Sequence, residues 1–363
     1  MAASDFGVSI GQMGWALSAF VLAMGASSLP AGLLGDRWGT GRLLTLYYWL
    51  LAATALACMG AESFTAFLIA HGLLGFAAGC FHPAALGLVS LVTPSARLGK
   101  AMGWFGVWGS VGTAFAPLAM GSAFGWRAGF GMLSATALAG ALACHVGLAR
   151  GWLPVGRQDA ADERALQRDP AQGRSLLMLL LVVMSVNAFL STGWEAVFPQ
   201  TIDDQGITVI RPWVIATFIL VVGGFGQYIG GILARDAYAT SRFAVILVVQ
   251  CLVLLGTAMA IDRQLLPFAF LASFAFFNYG TQPIENRLLA AHTSTRRRAT
   301  AYALKFVVAL LVAAPAPLIV TTMYESGGSA PVYRMLSTLA MVAVFFGYLL
   351  LRGERRKAQR RPG

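Results

Sequence analysis

Charge is scarce in this chain of 363 residues. Asp, Glu, Lys and Arg make up 11% of it, against 58% for hydrophobic side chains. A soluble domain is about a quarter charged and about half apolar, so a soluble globule is excluded. Acids are scarcer still: 15 Asp and Glu stand against 26 Lys and Arg, a net charge of +11. Cysteine is nearly absent. Cys58, Cys80, Cys144 and Cys251 all fall inside apolar stretches, the setting of packing residues and not of a disulfide or metal set. No Walker loop, nucleophile elbow or His/Cys cluster with metal spacing occurs. An enzyme is therefore not expected, nor a cofactor or metal. Met1–Ile10 carries no Lys or Arg, so no secretory signal is expected there.

What the chain has instead is long apolar runs, and its mean hydropathy is +0.70. Eleven blocks can be counted, at roughly Gly11–Leu34, Leu43–Gly60, Phe64–Val92, Ala101–Phe124, Ala128–Ala149, Ser175–Phe198, Trp213–Ala234, Phe243–Ile261, Leu265–Ala291, Thr300–Met323 and Val332–Leu351. Each is close to the ~20 residues that cross a bilayer as a helix. The positive charge, which in a soluble protein would point to nucleic acid, sorts by loop. One set of alternate loops carries Arg37 and Arg42, Arg97 and Lys100, Arg157 to Arg174, Arg235 and Arg242, Arg296 to Arg298, and the tail from Arg352. The other set has only Arg127, Arg211, Arg263 and Arg334. The basic set is expected to be cytoplasmic. That puts the C-terminus inside and, with eleven spans, the N-terminus outside.

The pattern predicts an all-α polytopic membrane protein. Residues 1–150 form one helix bundle, 151–174 a polar cytoplasmic linker, 175–352 a second bundle and 353–363 a basic tail. The two bundles repeat at an offset of 200. Asp36 matches Asp236, Arg42 matches Arg242, Pro83 matches Pro283, and Ala116-Pro117-Leu118 matches Ala316-Pro317-Leu318. Parallel repeats about an axis along the membrane normal are one way in which transporters are built. Ser175–Phe198 has no partner at this offset, because the match would fall before Met1.

The run Gly32 to Arg42 reads GLLGDRWGTGR. With Gly32, Asp36, Arg37, Gly39 and Arg42 it resembles the signature loop of the major facilitator superfamily, and Asp236 and Arg242 are a weaker copy. The resemblance implies the major facilitator fold with two parallel pseudo-repeats. It makes the first block here the family's second span, so that eleven transmembrane helices stand where the family has twelve, the first being absent. It also implies that Asp36 pairs with a cytoplasmic Arg and caps the start of the eleventh span. Gly103, Gly112, Ala116, Pro117 and Gly121 look like the antiporter motif of the drug–proton exchangers. The alternative for these five is a generic tight helix seam. Phe81-His82-Pro83-Ala84 and the stretches around Gln282–Asn286 and Ala301–Phe306 are loosely similar to the branch with fosmidomycin-resistance exporters.

Ionisable groups inside a span are expensive, and each is a functional candidate. The resemblance places spans one, four, seven and ten around a central cavity. His71, His82, Asn187, Trp194, Glu195, Asn278, Gln282 and Glu285 fall on those spans, and Lys305 lies near the start of the eleventh. Glu195 or Glu285 is expected as a proton site and Trp194 as a substrate contact. Each has a plainer alternative. Glu285 and Lys305 pair structurally, Lys305 snorkels to the interface, Trp194 and Glu195 sit at the interfacial belt, and His71 is a packing residue.

The expected activity is proton-coupled efflux of a small molecule by a monomer in the plasma (inner) membrane, through alternating access. The partners implied are the lipid bilayer, the substrate and a proton gradient, with no nucleic acid. The alternatives are a metabolite uniporter or symporter and a transport-dead sensor or assembly partner.

Overall fold

The structure, a computed structural model, describes residues 2–121, 125–155, 170–207, 210–234, 238–292 and 298–359. Among these residues every regular element is a helix. The first is a single short turn, α1 (Ala2–Phe6). A bundle follows of α2 (Ile10–Trp38), α3 (Thr40–Met59), α4 (Phe64–Gly79), α5 (Phe81–Val92), α6 (Ser95–Gly121) and α7 (Gly125–Ala149). The second bundle has α8 (Pro170–Asp204), α9 (Pro212–Leu233), α10 (Ala239–Ala260), α11 (Leu266–His292), α12 (Arg298–Ala313), α13 (Ala316–Gly327) and α14 (Ser329–Gln359).

The apolar blocks become helices because each can bond its backbone internally and bury or lipid-face its side chains. Among the described residues nine rods are long and apolar enough to cross a membrane, counting α4 with α5 and α12 with α13 as one rod each. The helices α6 and α11 are equally long, 27 residues each, but fall outside that set. For α11 the reason is visible in Asn278, Gln282, Glu285 and Arg287, which lower its hydropathy. Starts are marked by caps. The Ser9 hydroxyl accepts the Gln12 amide while the Gln12 side chain returns to the Ser9 amide, and Ser63 caps α4.

Two spans read as continuous are broken. The block Phe64–Val92 divides at Cys80, four residues after Phe76 and just behind Pro83, whose missing N–H cannot bond Gly79. The block Thr300–Met323 divides at Ala314–Pro315, where Pro315 and Pro317 follow each other closely. The last span is longer than expected. α14 continues to Gln359, through most of the segment read as a tail, and α8 begins at Pro170, inside the segment read as a linker.

The packing follows the 200-residue offset. In the first half α2 packs on α4 and α3 on α7; in the second, α9 packs on α11 and α10 on α14. Closeness comes from glycine. A Cβ on Gly75 would land on the Phe20 carbonyl, and one on Gly226 would land on the Phe276 carbonyl. The halves meet where α2 packs on α12 and α13, and where α6 packs on α9. Arg37, Arg42, Arg97 and Arg242 mark one end of the bundle, the basic end. Glu325 marks the other. The turn α1 sits at the Glu325 end, where Phe6 packs on Phe67 and Trp126, and Asp5 accepts the Trp126 Nε1–H at 2.8 Å.

Candidate functional site

The second half carries a buried polar cluster. Lys305 Nζ on α12 lies 3.2 Å from Glu285 Oε2 on α11 and donates to Asn286 Oδ1 at 2.8 Å. Asn187 Nδ2 on α8 donates to Glu285 Oε1 at 3.0 Å. Glu285 and Lys305 are 4% and 7% exposed. Each charge is therefore compensated by the other, and three helices are tied at one level. The pairing of Glu285 with Lys305 is the structural arrangement that the sequence left open beside a proton site. Asn278, on the same face of α11, is buried.

Glu195 differs in every respect. It stands inside α8 yet is exposed. Tyr279 Oη on α11 donates to its Oε1 at 3.0 Å, and Ser191 Oγ, one turn back on α8, donates to the same oxygen at 3.3 Å. Both protein donors thus converge on Oε1. Oε2 takes no hydrogen bond among the described residues, and no cation pairs with it there. The arrangement is an oriented carboxylate that presents one oxygen to open space.

A polar chain crosses between the halves near mid-bundle. Ser110 on α6 donates to Gln227 Oε1 on α9, and Gln227 Nε2 donates to Gln282 Oε1 on α11 at 3.4 Å. Beside it, His82 on α5 stacks on Phe306 of α12, with centroids 4.7 Å apart and planes at 13°. His82 Nδ1 is buried and takes no hydrogen bond among the described residues.

The remaining candidates lie elsewhere. Trp194 is fully buried, stacked on Phe198 at 4.4 Å and packed by Phe274, so here it offers no surface to a substrate. His71 Nδ1–H donates to the Ala16 carbonyl at 2.9 Å, and the ring lies among Phe20, Phe67 and Phe130, the setting of a packing residue. In the motif on α6, Gly121 lies against the Trp213 ring, but nothing lies within 4 Å of a Cβ placed on Gly112. The α6–α9 seam is closed by Gly106, Ser110 and Gly121 and not by Gly112 or the exposed Ala116. The side-chain surroundings of Gly103 and the whole of Asp236 lie outside the described residues.

The signature loop holds an unexpected contact. Gly39 has φ +100°, and a Cβ there would strike the Val155 carbonyl; one on Gly41 would strike the Pro154 carbonyl. The Gly41 amide donates to Val155 O at 3.3 Å. These glycines admit the chain leaving α7. Gly32 faces Pro83. Asp36 and Arg42 are exposed, and Asp36 has no hydrogen bond or ion pair among the described residues. The start of the eleventh span, which Asp36 is expected to cap, falls at residues 293–297, outside the described residues, as do Arg296 and Arg297. Arg242 donates to the Leu233 carbonyl at 2.9 Å. Tyr279, Ser110, Gln227 and Glu325 were not singled out from the sequence. A hydroxyl or amide within an apolar run was the available signal, but many such residues only bond their own helix, as Thr257 does with Val253.

Two matched helix bundles that meet along α2–α13 and α6–α9, with ionisable side chains held between long apolar rods, define an integral membrane protein of the transporter fold class. Residues 1–304 match the Major Facilitator Superfamily, and the chain belongs to that superfamily. Its relatives include the riboflavin transporter RibZ of Clostridioides difficile (strain 630), 28% identical over 127 residues, or 34% of this chain and 28% of that protein. The tetracenomycin C resistance and export protein of Streptomyces glaucescens is 32% identical over 130 residues, 35% of this chain and 24% of that one. A probable L-galactonate transporter of Escherichia coli (strain K12) is 26% identical over 255 residues, 61% and 54% of the two chains. The matched stretches thus span about a quarter to about half of these relatives. Among solved structures, a bacterial homolog of the human lysosomal transporter Spinster, inward-facing and unoccupied, superposes with a TM-score of 0.69. It is 15% identical, and the match covers 98% of this chain and 92% of that one. At that identity the likeness shows the fold alone.

Proposed function

We propose that this chain is a secondary active transporter that exports a small molecule by alternating access, driven by protons, from the cytoplasmic side where the basic loops lie. The observation that carries the reading is Glu195. Its carboxylate has two neutral donors, no cation partner and a free oxygen on an exposed face within a membrane-spanning helix. An ionisable group within a spanning segment that faces a cavity and lacks an ionic partner is placed to exchange a proton or to bind a positive charge. Glu285, already neutralised by Lys305, has no such need. We therefore assign the coupling proton to Glu195 and a clamping role to the Glu285–Lys305 pair. Among the described residues, the contacts between the halves that run from Glu325 to mid-bundle support an arrangement closed on the outside.

The test uses purified protein in liposomes, acid inside, with riboflavin, tetracenomycin C and L-galactonate as probes. Uptake of one probe that collapses with a protonophore is the expected result. Uptake indifferent to the protonophore would favour a uniporter, and the relative named for L-galactonate transport keeps metabolite uptake as the second reading. No flux of any probe, with the protein folded, would count against export of these chemical classes. Asp36→Asn is expected to weaken closure of the basic end and to lower flux at unchanged expression.

A further inference from the structure

The contact between α2 and α13 is an exchange of helix caps. The first turn of a helix has backbone N–H groups with no partner of their own. At the start of α2, Ser9 takes the Gln12 amide. The Gly11 amide is taken by the other half: Glu325 Oε2 of α13 accepts it at 3.1 Å and also accepts the Ser9 hydroxyl at 3.0 Å. The reverse holds at the start of α13. That helix begins at the break beside Pro315, which has no side-chain acceptor, and Pro317 has no N–H. The next free amide, that of Leu318, donates to Ser18 Oγ of α2 at 3.1 Å. Gly11 and Ser18 are seven residues apart on α2, as are Leu318 and Glu325 on α13, so two antiparallel helices satisfy each other's ends two turns apart. A carboxylate at a helix N-terminus is doubly suited, as an acceptor and as an anion against the helix dipole.

We infer that Glu325 and Ser18 are the residues that hold the Glu325 end of the transporter shut, because separating α2 from α13 leaves an amide at each helix start without its partner. This rests on the alternating-access reading above. Small residues make the latch possible. A Cβ on Gly11 would fall on the Glu325 carboxylate, and one on Gly14 would fall on the Thr321 hydroxyl and within 2.9 Å of the Leu318 Cα. Among the described residues Glu325 forms no ion pair. Tyr324 beside it and Ser329 at the start of α14 both donate to Asp204.

The experiment reads the separation of the two halves at this end. Spin labels go on Glu62→Cys, in the turn before α4, and Asp262→Cys, in the turn before α11, with the four native cysteines changed to alanine. Glu325→Ala and Ser18→Ala are each expected to raise the open-to-closed ratio by about fivefold, the usual effect of losing one cap. Glu325→Gln, which keeps an acceptor, is expected to restore most of the closed population. Gly11→Ala is expected to open the end while Glu325 is present and to add nothing in the Glu325→Ala background. Unchanged distances in Glu325→Ala and Ser18→Ala would overturn the latch, as would an equal effect of Gly11→Ala in both backgrounds. Flux is measured separately in liposomes. Distance shifts in the variants with no flux of any probe through the wild-type protein would count against export of these chemical classes and leave the latch standing; intact flux with no shifts would do the reverse.

Discussion

The two halves share a scaffold and differ in what fills it. Subtracting 200 from Glu285 and Lys305 gives Ala85 and Phe105. In the second half the pair is a buried salt bridge. In the first half Ala85 is buried, and Phe105 stacks on Phe81 at 5.6 Å with planes 17° apart. The same level of the bundle is thus closed once by charge and once by aromatic packing. Glu195 and Tyr279 likewise belong to the second half, whose α8 runs through the middle of that bundle, whereas the first half supplies Gly75 for close approach and His82 for its stack on Phe306. The repeat therefore keeps the geometry of helix packing, while the buried ion pair and the oriented carboxylate lie in one half. A proton site in one bundle can act on both only through the contacts between them, Ser110 to Gln227 and the α2–α13 caps among them.

The comparison breaks most readily at the ion pair. Lys305→Met leaves Glu285 buried with only the Asn187 amide, and an uncompensated buried charge costs about 3–5 kcal/mol. Melting in detergent is expected to fall accordingly, and adding Glu285→Leu is expected to recover most of the loss. The counterpart change in the first half, Phe105→Met, keeps volume and polarity and is expected to cost under about 1.5 kcal/mol. Equal losses for Lys305→Met and Phe105→Met would mean that the pair is no more than packing.

The shared scaffold predicts the opposite symmetry for the glycines. Gly75→Ala and Gly226→Ala each drive a methyl group into a backbone carbonyl, which cannot swing aside as a side chain can. Each is expected to cost about 1–3 kcal/mol, alike in the two halves, and paired melting curves would show it. A large difference would mean that one seam can slide apart and the other cannot.

These contrasts also mark how far the sequence reaches. The rods were legible because a bilayer-spanning helix needs an uninterrupted apolar length, and the repeat was legible because Pro83 and Pro283 fall at one offset. What became of those prolines was not. Pro283 sits in an unbroken α11, while Pro83 follows a break at Cys80. The residue four before Pro83 is Gly79 and four before Pro283 is Tyr279, and glycine is the weaker helix former. For the site, Glu285 and Lys305 were legible as a pair because they start from neighbouring ends of consecutive rods. The burial of Trp194 was not, since helical spacing puts Trp194 and Glu195 on adjacent stripes and only the packing of Phe198 and Phe274 decides which stripe faces inward. The caps on α2 and α13 join residues 300 and 314 apart in the chain, beyond the reach of any local pattern.

The smallest expected change in stability belongs to Glu195, and that makes it the sharpest probe of the asymmetry. Glu195→Gln keeps an oxygen to accept from Tyr279 and Ser191, so melting is expected to move by less than about 0.5 kcal/mol. The amide cannot take up a proton, and flux in the acid-inside liposomes is expected to lose its dependence on the proton gradient. Tyr279→Phe is the intermediate case. It removes one of the two donors that fix Oε1 and keeps the acid, so gradient-driven flux is expected to fall without vanishing and to shift along the pH axis. A structural role for Glu195 would give the reverse ranking, with lower melting in both variants and proton coupling retained in Glu195→Gln. If that were found, the free oxygen at Glu195 would have no part in coupling, and the buried Glu285–Lys305 pair would be the next place to test for a proton.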